Sequence, residues 1–284
     1  MTVPISAIVL TKNEERNLPD CLACLTWADE ILVVDSFSTD ATMEIARRLA
    51  TRVVQHPFKD FADQRNFAQA QALYDWVLFV DADERVPSEL RDEIQILVDT
   101  GELTKCNAYY IRRVTLFSGR WISGKHSLRL LPDLAKAIRP RGDARLLDRR
   151  LAVWERPLHE EVRAPEPYGT LDSMMYHYSG TNLSLAYESF NHYTDLDAAF
   201  LQRSRTHVSI IEAITRGIRS FVYHYFYRGL FLSGEQGFLA ATLLGYMKFI
   251  TYAKLSERIR IQGDVGEWTE LDRELLKRFP SDSE

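Results

Sequence analysis

The sequence predicts an α/β fold, in which helices cover a mostly parallel sheet, with an α-helical extension at the C-terminal end. Short apolar runs alternate with helical patterns through the first third of the chain, as is typical of βαβ units. Beyond Leu183 the pattern is almost entirely helical. The 284 residues, of which 46% are hydrophobic and 26% charged, are enough for roughly two domains. We therefore expect an α/β domain over residues 1–180 and a helical region over residues 181–284.

Four apolar runs in the first third have the length of strands, and each is continuous because a strand inside a parallel sheet is buried on both faces. The runs are Ile5–Leu10, Ile31–Val34, Val53–Val54 and Trp76–Val80, with further strand candidates at Ala108–Val114 and Arg145–Leu147. The helical patterns between the runs are Asn17–Trp27, Ala41–Ala50 and Phe61–Leu73. Ligands bind such sheets at the carboxyl ends of the strands, so the residues that follow each run are the candidates for a site.

The charge of the chain limits its partners. A net charge of −5 at pH 7 argues against a general attraction to nucleic acid. Residues 203–260 nevertheless carry nine Lys and Arg against three Glu, a local balance of +6 that leaves −11 for the rest, and ten aromatic residues share this stretch. Basic residues interleaved with aromatic ones suit a helix that lies on an anionic membrane surface. The rings equally suit the core of a helical region or a homo-oligomer contact, and these interpretations stay open.

The cysteines favour a reducing compartment. Cys21, Cys24 and Cys106 are too few to staple a chain of this length, and the first two have no second pair with which to complete a zinc site. The N-terminus lacks the pattern of a secretory signal, and no apolar stretch in the C-terminal part approaches the roughly 20 residues that span a bilayer. We therefore expect a cytoplasmic protein, with peripheral association at the inner face of the cytoplasmic membrane as an alternative.

An acidic cluster follows the fourth strand directly. Asp81, Ala82, Asp83 and Glu84 come immediately after the run Trp76–Val80, where a buried strand meets solvent. Two aspartates that flank one small residue at a strand end can hold a hard divalent cation, whose other ligands are water and diphosphate oxygens. Asp81 and Asp83 are therefore the candidate metal ligands.

Polar residues also follow the first and second strands. We expect Thr11, Asn13 and Glu14 to meet the base or phosphate of a nucleotide, because they lie between the first strand and the first helix turn. Asp35, fixed immediately after the second strand, is expected to accept hydrogen bonds from a base or ribose. The Ser and Thr residues and the aspartate within residues 36–40 are expected to be helix caps instead.

Four segments resemble the successive motifs of glycosyltransferase family 2, and within that family the chain is most similar to the lipopolysaccharide core β-1,4-glucosyltransferase group. The segments are Ile8–Glu15, Val33–Asp40, Gln64–Ala68 and Trp76–Glu84. The resemblance implies a GT-A fold and a nucleotide-diphosphate-sugar donor, for which a UDP-sugar is favoured. It also implies Mg²⁺ or Mn²⁺ as the cofactor that bridges Asp83 to the donor diphosphate, and a glycan or lipid-linked acceptor.

The resemblance continues beyond the first third of the chain. Residues 145–150 and 157–160 resemble the arginine-rich strand and the His-Glu motif of that group. The family implies a single inversion, in which a carboxylate takes the proton of the acceptor hydroxyl. Glu160 is the candidate base, with the adjacent Glu161 as an alternative. His159 is expected to orient the base or to approach the metal.

Several cationic and neighbouring residues complete the predicted site. Arg65 is expected to contact the donor, because a guanidinium group suits a phosphate. Ala82 is also expected to contact the donor. Arg145 and Arg149 would serve the leaving diphosphate or form salt bridges within the sheet. His177 is either a third metal ligand or a histidine packed in the core.

The leading prediction is an inverting, metal-dependent hexosyltransferase that acts in cell-envelope polysaccharide or lipopolysaccharide core synthesis. A sugar-phosphate nucleotidyltransferase is an alternative, but it would need a glycine-rich basic loop after the first strand, where this chain has Thr11 to Glu14. A non-catalytic carbohydrate- or membrane-binding scaffold is a second alternative. It predicts loss of the acidic pair Asp81 and Asp83, which is intact.

Overall fold

The structure is a computed structural model, and it describes residues 3–122, 142–156, 160–178 and 183–263. The chain divides into two compact units, Met1–Ala186 and Tyr187–Glu284. The first unit contains the sheet, and the second is built from helices.

Strands and helices alternate through the first part of the chain, as the hydrophobic pattern predicts. The strands are β1 (Ile5–Thr11), β2 (Glu30–Asp35), β3 (Arg52–Gln55), β4 (Trp76–Asp81), β5 (Glu84–Arg85), β6 (Ala108–Phe117), β7 (Arg120–Ile122), β8 (Asp143–Asp148), β9 (Val153–Glu155), β10 (Glu161–Arg163) and β11 (Tyr168–His177). The helices are α1 (Leu18–Ala23), α2 (Thr42–Leu49), α3 (Phe61–Gln71) and α4 (Ser88–Asp99).

The main sheet has the strand order β3-β2-β1-β4-β8-β6-β11-β5, with β7 paired to β6. The first four strands in this order are all parallel, whereas β8 runs antiparallel to both β4 and β6. Parallel pairing returns between β6 and β11. The predicted α/β class is therefore confirmed, with a parallel N-terminal half and a mixed second half.

Helices cover both faces of the sheet. Strand β1 sends Ile5, Ala7 and Val9 into one core, which α1 and α4 cover. Ile8 points into the other core, which contains residues of α3. Helix α3 begins where the Asp60 carboxylate accepts a hydrogen bond from the backbone N–H of residue 63 at 2.8 Å, which satisfies one of the free amides of the first turn. This arrangement leaves the carboxyl ends of β1, β2 and β4 together at one edge.

The second unit contains an antiparallel helical hairpin. The chain runs from α5 (Leu183–Gln202) to α6 (Ile210–Val222), a π-helical turn (Tyr223–Tyr227), a 3₁₀ turn (Leu230–Ser233) and α7 (Gly234–Gly263). The Ser220 hydroxyl donates to the Leu244 carbonyl at 3.1 Å, and the Ser256 hydroxyl donates to the Val208 carbonyl at 3.0 Å. These two hydrogen bonds show that α6 and α7 pack antiparallel. The predicted helical extension is confirmed, and no helix within the described residues is long and apolar enough to cross a membrane.

Candidate active site

The residues that follow β1, β2 and β4 lie side by side at one edge of the sheet. Leu10 of β1 is in register with Asp81 of β4, and Thr11 is in register with Asp35 of β2. Parallel strands in register bring their carboxyl ends together, so the sequence prediction of a shared edge agrees with the structure.

Asp81 is held between two arginines. Its Oδ1 accepts a hydrogen bond from Arg65 Nη2 at 2.9 Å, and its Oδ2 accepts one from Arg145 Nη2 at 2.9 Å. Burial raises the pKa of the Asp81 carboxyl, but the charges of Arg145 and Arg65 outweigh burial and hold that pKa well below its usual value. Asp81 is therefore ionised, and both of its oxygens have cationic partners.

Arg65 connects Asp81 to the candidate base. Its Nε donates to Glu160 Oε1 at 2.9 Å while its Nη2 bonds Asp81, and its side chain is only 4% exposed. The guanidinium lies 4.8 Å from the ring centre of Trp154, a geometry that suits a cation–π contact. Its third nitrogen, Nη1, is buried and has no hydrogen-bond partner among the described residues. The structure thus brings Arg65 and Glu160 to the acidic cluster, and leaves one buried donor unsatisfied.

Glu84 extends this charge network into the protein interior. The side chain is fully buried, and its Oε2 accepts the backbone N–H of Asp81 at 2.9 Å. Its Oε1 accepts from Arg113 Nη1 at 3.1 Å and from Arg145 Nη2 at 3.3 Å. Arg145 also has a buried Nη1 without a partner in the described part of the chain. Sequence reasoning gave Glu84 and Arg113 no role, and Arg113 carried no motif that could have revealed one.

Asp83 faces His177. Its Oδ2 lies 3.1 Å from His177 Nε2, and the other ring nitrogen of His177 lies 3.4 Å from the Thr115 hydroxyl. Burial lowers the pKa of His177, but the hydrogen bond and the charge of Asp83, together with the charge of Glu84, outweigh it and raise that pKa above its usual value. His177 therefore belongs to the site rather than to a separate apolar core.

The donor chemistry at this edge fits a hard divalent cation with few protein ligands. Asp81 accepts one arginine hydrogen bond on each oxygen and keeps a lone pair on each, so the candidates from this chain are Asp81, Asp83 and the Nε2 of His177. No group of three His, Cys, Asp or Glu within the described residues could hold a metal ion by itself. Mg²⁺ commonly takes one or two carboxylates and completes its shell with water and substrate phosphates. His159 lies outside the described residues.

The residues after β1 are close to the acidic cluster. The Asn13 side-chain oxygen accepts the backbone N–H of Thr39 at 2.8 Å, and Asn13 has a left-handed backbone with φ of 56°. Burial raises the pKa of the Glu14 carboxyl to about 7, against a lowering hydrogen bond from Asn17, and the negative charges of Asp83, Asp40 and Asp81 raise it further. Glu14 therefore lies within electrostatic range of both predicted metal ligands.

Asp35 makes its hydrogen bonds within the protein. Its side chain is fully buried, with hydrogen bonds from the hydroxyls of Thr11 and Ser38, from the backbone N–H of Ser38 at 2.9 Å, and from Gln55 Nε2 at 3.1 Å. These donors occupy both carboxylate oxygens. In this arrangement Asp35 and Thr11 brace the ends of β1 and β2, which corrects the expectation of direct ligand contact.

Two further predicted contacts are displaced from the edge. Arg149 Nε donates to the Tyr74 carbonyl at 2.8 Å, near the start of β4 and therefore at its opposite end from Asp81. The reason is the antiparallel pairing of β8 with β4, which sets Asp148 against Trp76 and allows Arg145 alone of the two arginines to reach Asp81. Ala82 is buried in the turn after β4, so its side chain has little surface to offer a ligand.

The chain is similar to known proteins over most of its length. The model of the family described as glycosyl transferase family 2 matches residues 6–150. An uncharacterised glycosyltransferase of Rickettsia typhi is 28% identical over 264 residues, which are 89% of this chain and 87% of that protein. The lipopolysaccharide core biosynthesis glycosyltransferase LpsC of Rhizobium meliloti is 25% identical and covers 90% of this chain and 93% of its own. The crystal structure of S. aureus TarS 1–349 with UDP-GlcNAc has a TM-score of 0.48 and 18% identity, covering 94% of each chain.

Proposed function

Because this chain belongs to glycosyl transferase family 2, we propose that it transfers a hexosyl group, with inversion, from a UDP-sugar to a hydroxyl of a cell-envelope glycan. The observation that carries the proposal is the chain of contacts Asp81–Arg65–Glu160, which joins the acidic cluster after β4 to a carboxylate 95 residues from Arg65 in sequence. Charged groups whose pKa is strongly shifted by specific charge partners, as that of Asp81 is, cluster at active sites.

The proposed donor site uses the cations of this network. The buried guanidinium groups of Arg65 and Arg145 are proposed to supply positive charge beside the diphosphate through Asp81, because fixed cations at a strand end stabilise negative charge nearby. Asp83 and His177 would hold Mg²⁺ or Mn²⁺ against the same diphosphate. A divalent cation bound there would stabilise the negative charge that builds up on the departing diphosphate.

Glu160 is the proposed general base. Its carboxylate accepts the proton of the acceptor hydroxyl as that oxygen forms its bond to the anomeric carbon. The bond from the anomeric carbon to the diphosphate oxygen breaks on the opposite side, and its electron pair leaves with the diphosphate. Arg65 keeps the Glu160 carboxylate in position through the 2.9 Å hydrogen bond from Nε.

The proposed acceptor is a core-type glycan of the cell envelope. Support comes from the similarity to LpsC, whose name assigns it to lipopolysaccharide core biosynthesis, over 90% of this chain. The acceptor site is proposed to lie beside Glu160, since a general base must come within hydrogen-bond distance of the proton it removes.

Release of nucleoside diphosphate tests the function. The purified chain is incubated with UDP-, GDP- and dTDP-hexoses, Mn²⁺ and a lipid A core acceptor, and we expect UDP release that depends on the acceptor. Asp83→Asn should abolish the release, because it removes the carboxylate proposed to bind the cation. The matched control is Asp92→Asn on the exposed surface of α4, which should release UDP at the wild-type rate. Equal rates for Asp83→Asn and wild type would contradict the proposed metal site, and no release from any donor would support a non-catalytic scaffold.

A further inference from the structure

Helix α6 exposes an apolar stripe that its neighbour does not cover. Ile211, Ile214, Ile218 and Val222 follow one another at intervals of three and four residues, so they share one face of the helix. Each of the four is between 45% and 69% exposed. A monomeric protein in water rarely leaves such a contiguous row exposed.

A different face of α6 packs against α7. Ala213 and Gly217 are the buried residues of α6, and a Cβ at Gly217 would lie 2.9 Å from the Cβ of Phe249. The close approach of the two helices accounts for the small residues on that face. The contact between α6 and α7 therefore does not use the apolar stripe, and the side chains of the stripe are free to contact a partner.

Exposed rings also lie in the two turns that follow α6 in the chain. Phe226, in the π-helical turn after α6, is 59% exposed, and Phe231, in the following 3₁₀ turn, is 47% exposed. We name the docking face as Ile211, Ile214, Ile218, Val222, Phe226 and Phe231. Aromatic side chains of this kind are enriched where a protein surface enters the boundary between lipid headgroups and acyl chains.

The charges around the docking face are mainly positive. Residues 211–231, which span the docking face, include three arginines and one acidic residue, Glu212. Arg216 is paired with Glu212, but Arg219 and Arg228 form no ion pair with any carboxylate in the described part of the chain. Both are exposed, so they can bind anions while the apolar side chains enter an apolar phase.

We propose that the docking face binds the surface of an anionic phospholipid membrane, with α6 lying in the interface. A second copy of the chain fits less well, because a two-fold contact through the same face would bring Arg219 and Arg228 together, and the one acidic residue of the segment, Glu212, is already paired with Arg205 and Arg216. Anionic headgroups supply the missing negative charge. The inference concerns the second unit only and does not depend on sugar transfer.

Co-sedimentation of the full chain with lipid vesicles tests this proposal. We expect binding to phosphatidylcholine vesicles that contain about 30 mol % phosphatidylglycerol, and a decrease as salt rises from about 0.1 M to about 0.5 M. Ile218→Ser should lower the partition coefficient by about tenfold, because it removes one large apolar side chain from the buried area. Arg219→Gln combined with Arg228→Gln should remove the preference for anionic over neutral vesicles.

The matched control is Ile96→Ser on α4, since Ile96 is 61% exposed and Ile218 is 59% exposed. Ile96→Ser should bind vesicles like wild type, and circular dichroism should show unchanged folding of each variant. Equal recovery of the wild type in the supernatant with and without anionic lipid would overturn the proposal. So would a concentration-dependent dimer that Ile218→Ser dissociates while vesicle binding stays unaffected, because the face would then belong to a second copy.

Discussion

Replacing Arg65 with methionine takes away the guanidinium that bonds both Asp81 and Glu160, and methionine keeps an unbranched apolar side chain at that position. Asp81 then keeps its hydrogen bond from Arg145, whereas Glu160 loses its hydrogen bond from Arg65. Removing one partner of a buried ion pair costs about 3–5 kcal/mol. Asp81 remains 30% exposed, so water screens part of this loss, and we expect a decrease of about 3 kcal/mol in the free energy of unfolding at neutral pH.

Urea denaturation followed by circular dichroism measures this loss as a lower midpoint at unchanged slope. The deficit should shrink at acidic pH. The pKa of Asp81 is held below its unfolded value, so its contribution to stability is present above the unfolded pKa and disappears as pH falls through the folded pKa. The matched control is Arg91→Met, which removes an arginine from Asp92 in an ion pair where both side chains are exposed, by 45% and 61%. Equal losses for the two variants would refute the reasoning, because the burial of Arg65 would then contribute nothing.

Three further predictions concern catalysis, packing and pH. Glu160→Gln should lower the rate of sugar transfer by about a hundred- to ten-thousand-fold and leave the affinity for UDP nearly unchanged. The control Glu161→Gln, at a side chain that is 63% exposed, should transfer sugar at the wild-type rate. Equal rates for the two variants would show that Glu160 is not the base. Gly237→Ala should lower the melting temperature of the second unit, because its Cβ would lie 1.8 Å from the Leu230 carbonyl oxygen, and an unchanged melting curve would contradict that packing. Burial and the charges of Arg228 and Lys248 lower the pKa of His224 to about 4, so the second unit should lose stability as pH falls from about 6.5 to about 4. His224→Gln should remove that pH dependence in thermal melts, and a wild-type slope in the variant would assign it to other groups.

The sequence was sufficient to predict the parallel half of the sheet. Continuous apolar runs identify β1, β2 and β4, and the strand-end rule then brings Asp81 to the same edge as Thr11. Only the resemblance of residues 157–160 to a family motif associated Glu160 with this edge. The periodicity of the 78 positions between Asp81 and Glu160 does not predict that the two residues lie close together. The contact through Arg65 supplies the physical link.

Long-range pairing explains what the sequence could not provide. The insertion of β8 between β4 and β6 in an antiparallel direction decides that Arg145 reaches Asp81 and that Arg149 does not. Burial is a second property that a single sequence hides. Asp35 lies at the end of its strand just as Asp81 does, but its two carboxylate oxygens accept four hydrogen bonds from within the protein.

The aromatic residues of the second unit show the same limit. Composition alone predicts either a membrane-facing or a core role for all ten rings of residues 203–260. The structure divides them, because Tyr252 is buried with Arg216 4.5 Å from its ring centre, whereas Phe226 and Phe231 are exposed. Which ring takes which role depends on the crossing of α6 and α7, and that crossing is set by the glycines at positions 217 and 245.

Calorimetric titration of UDP into the full chain, with and without Mn²⁺, tests the proposed donor site most directly. The account predicts binding that is at least about tenfold tighter with Mn²⁺ and loses this dependence in Asp83→Asn. Identical UDP affinity with and without the metal, or metal-dependent binding that survives both Asp83→Asn and His177→Gln, would contradict the assignment of this edge of the sheet to a metal-bound nucleotide diphosphate.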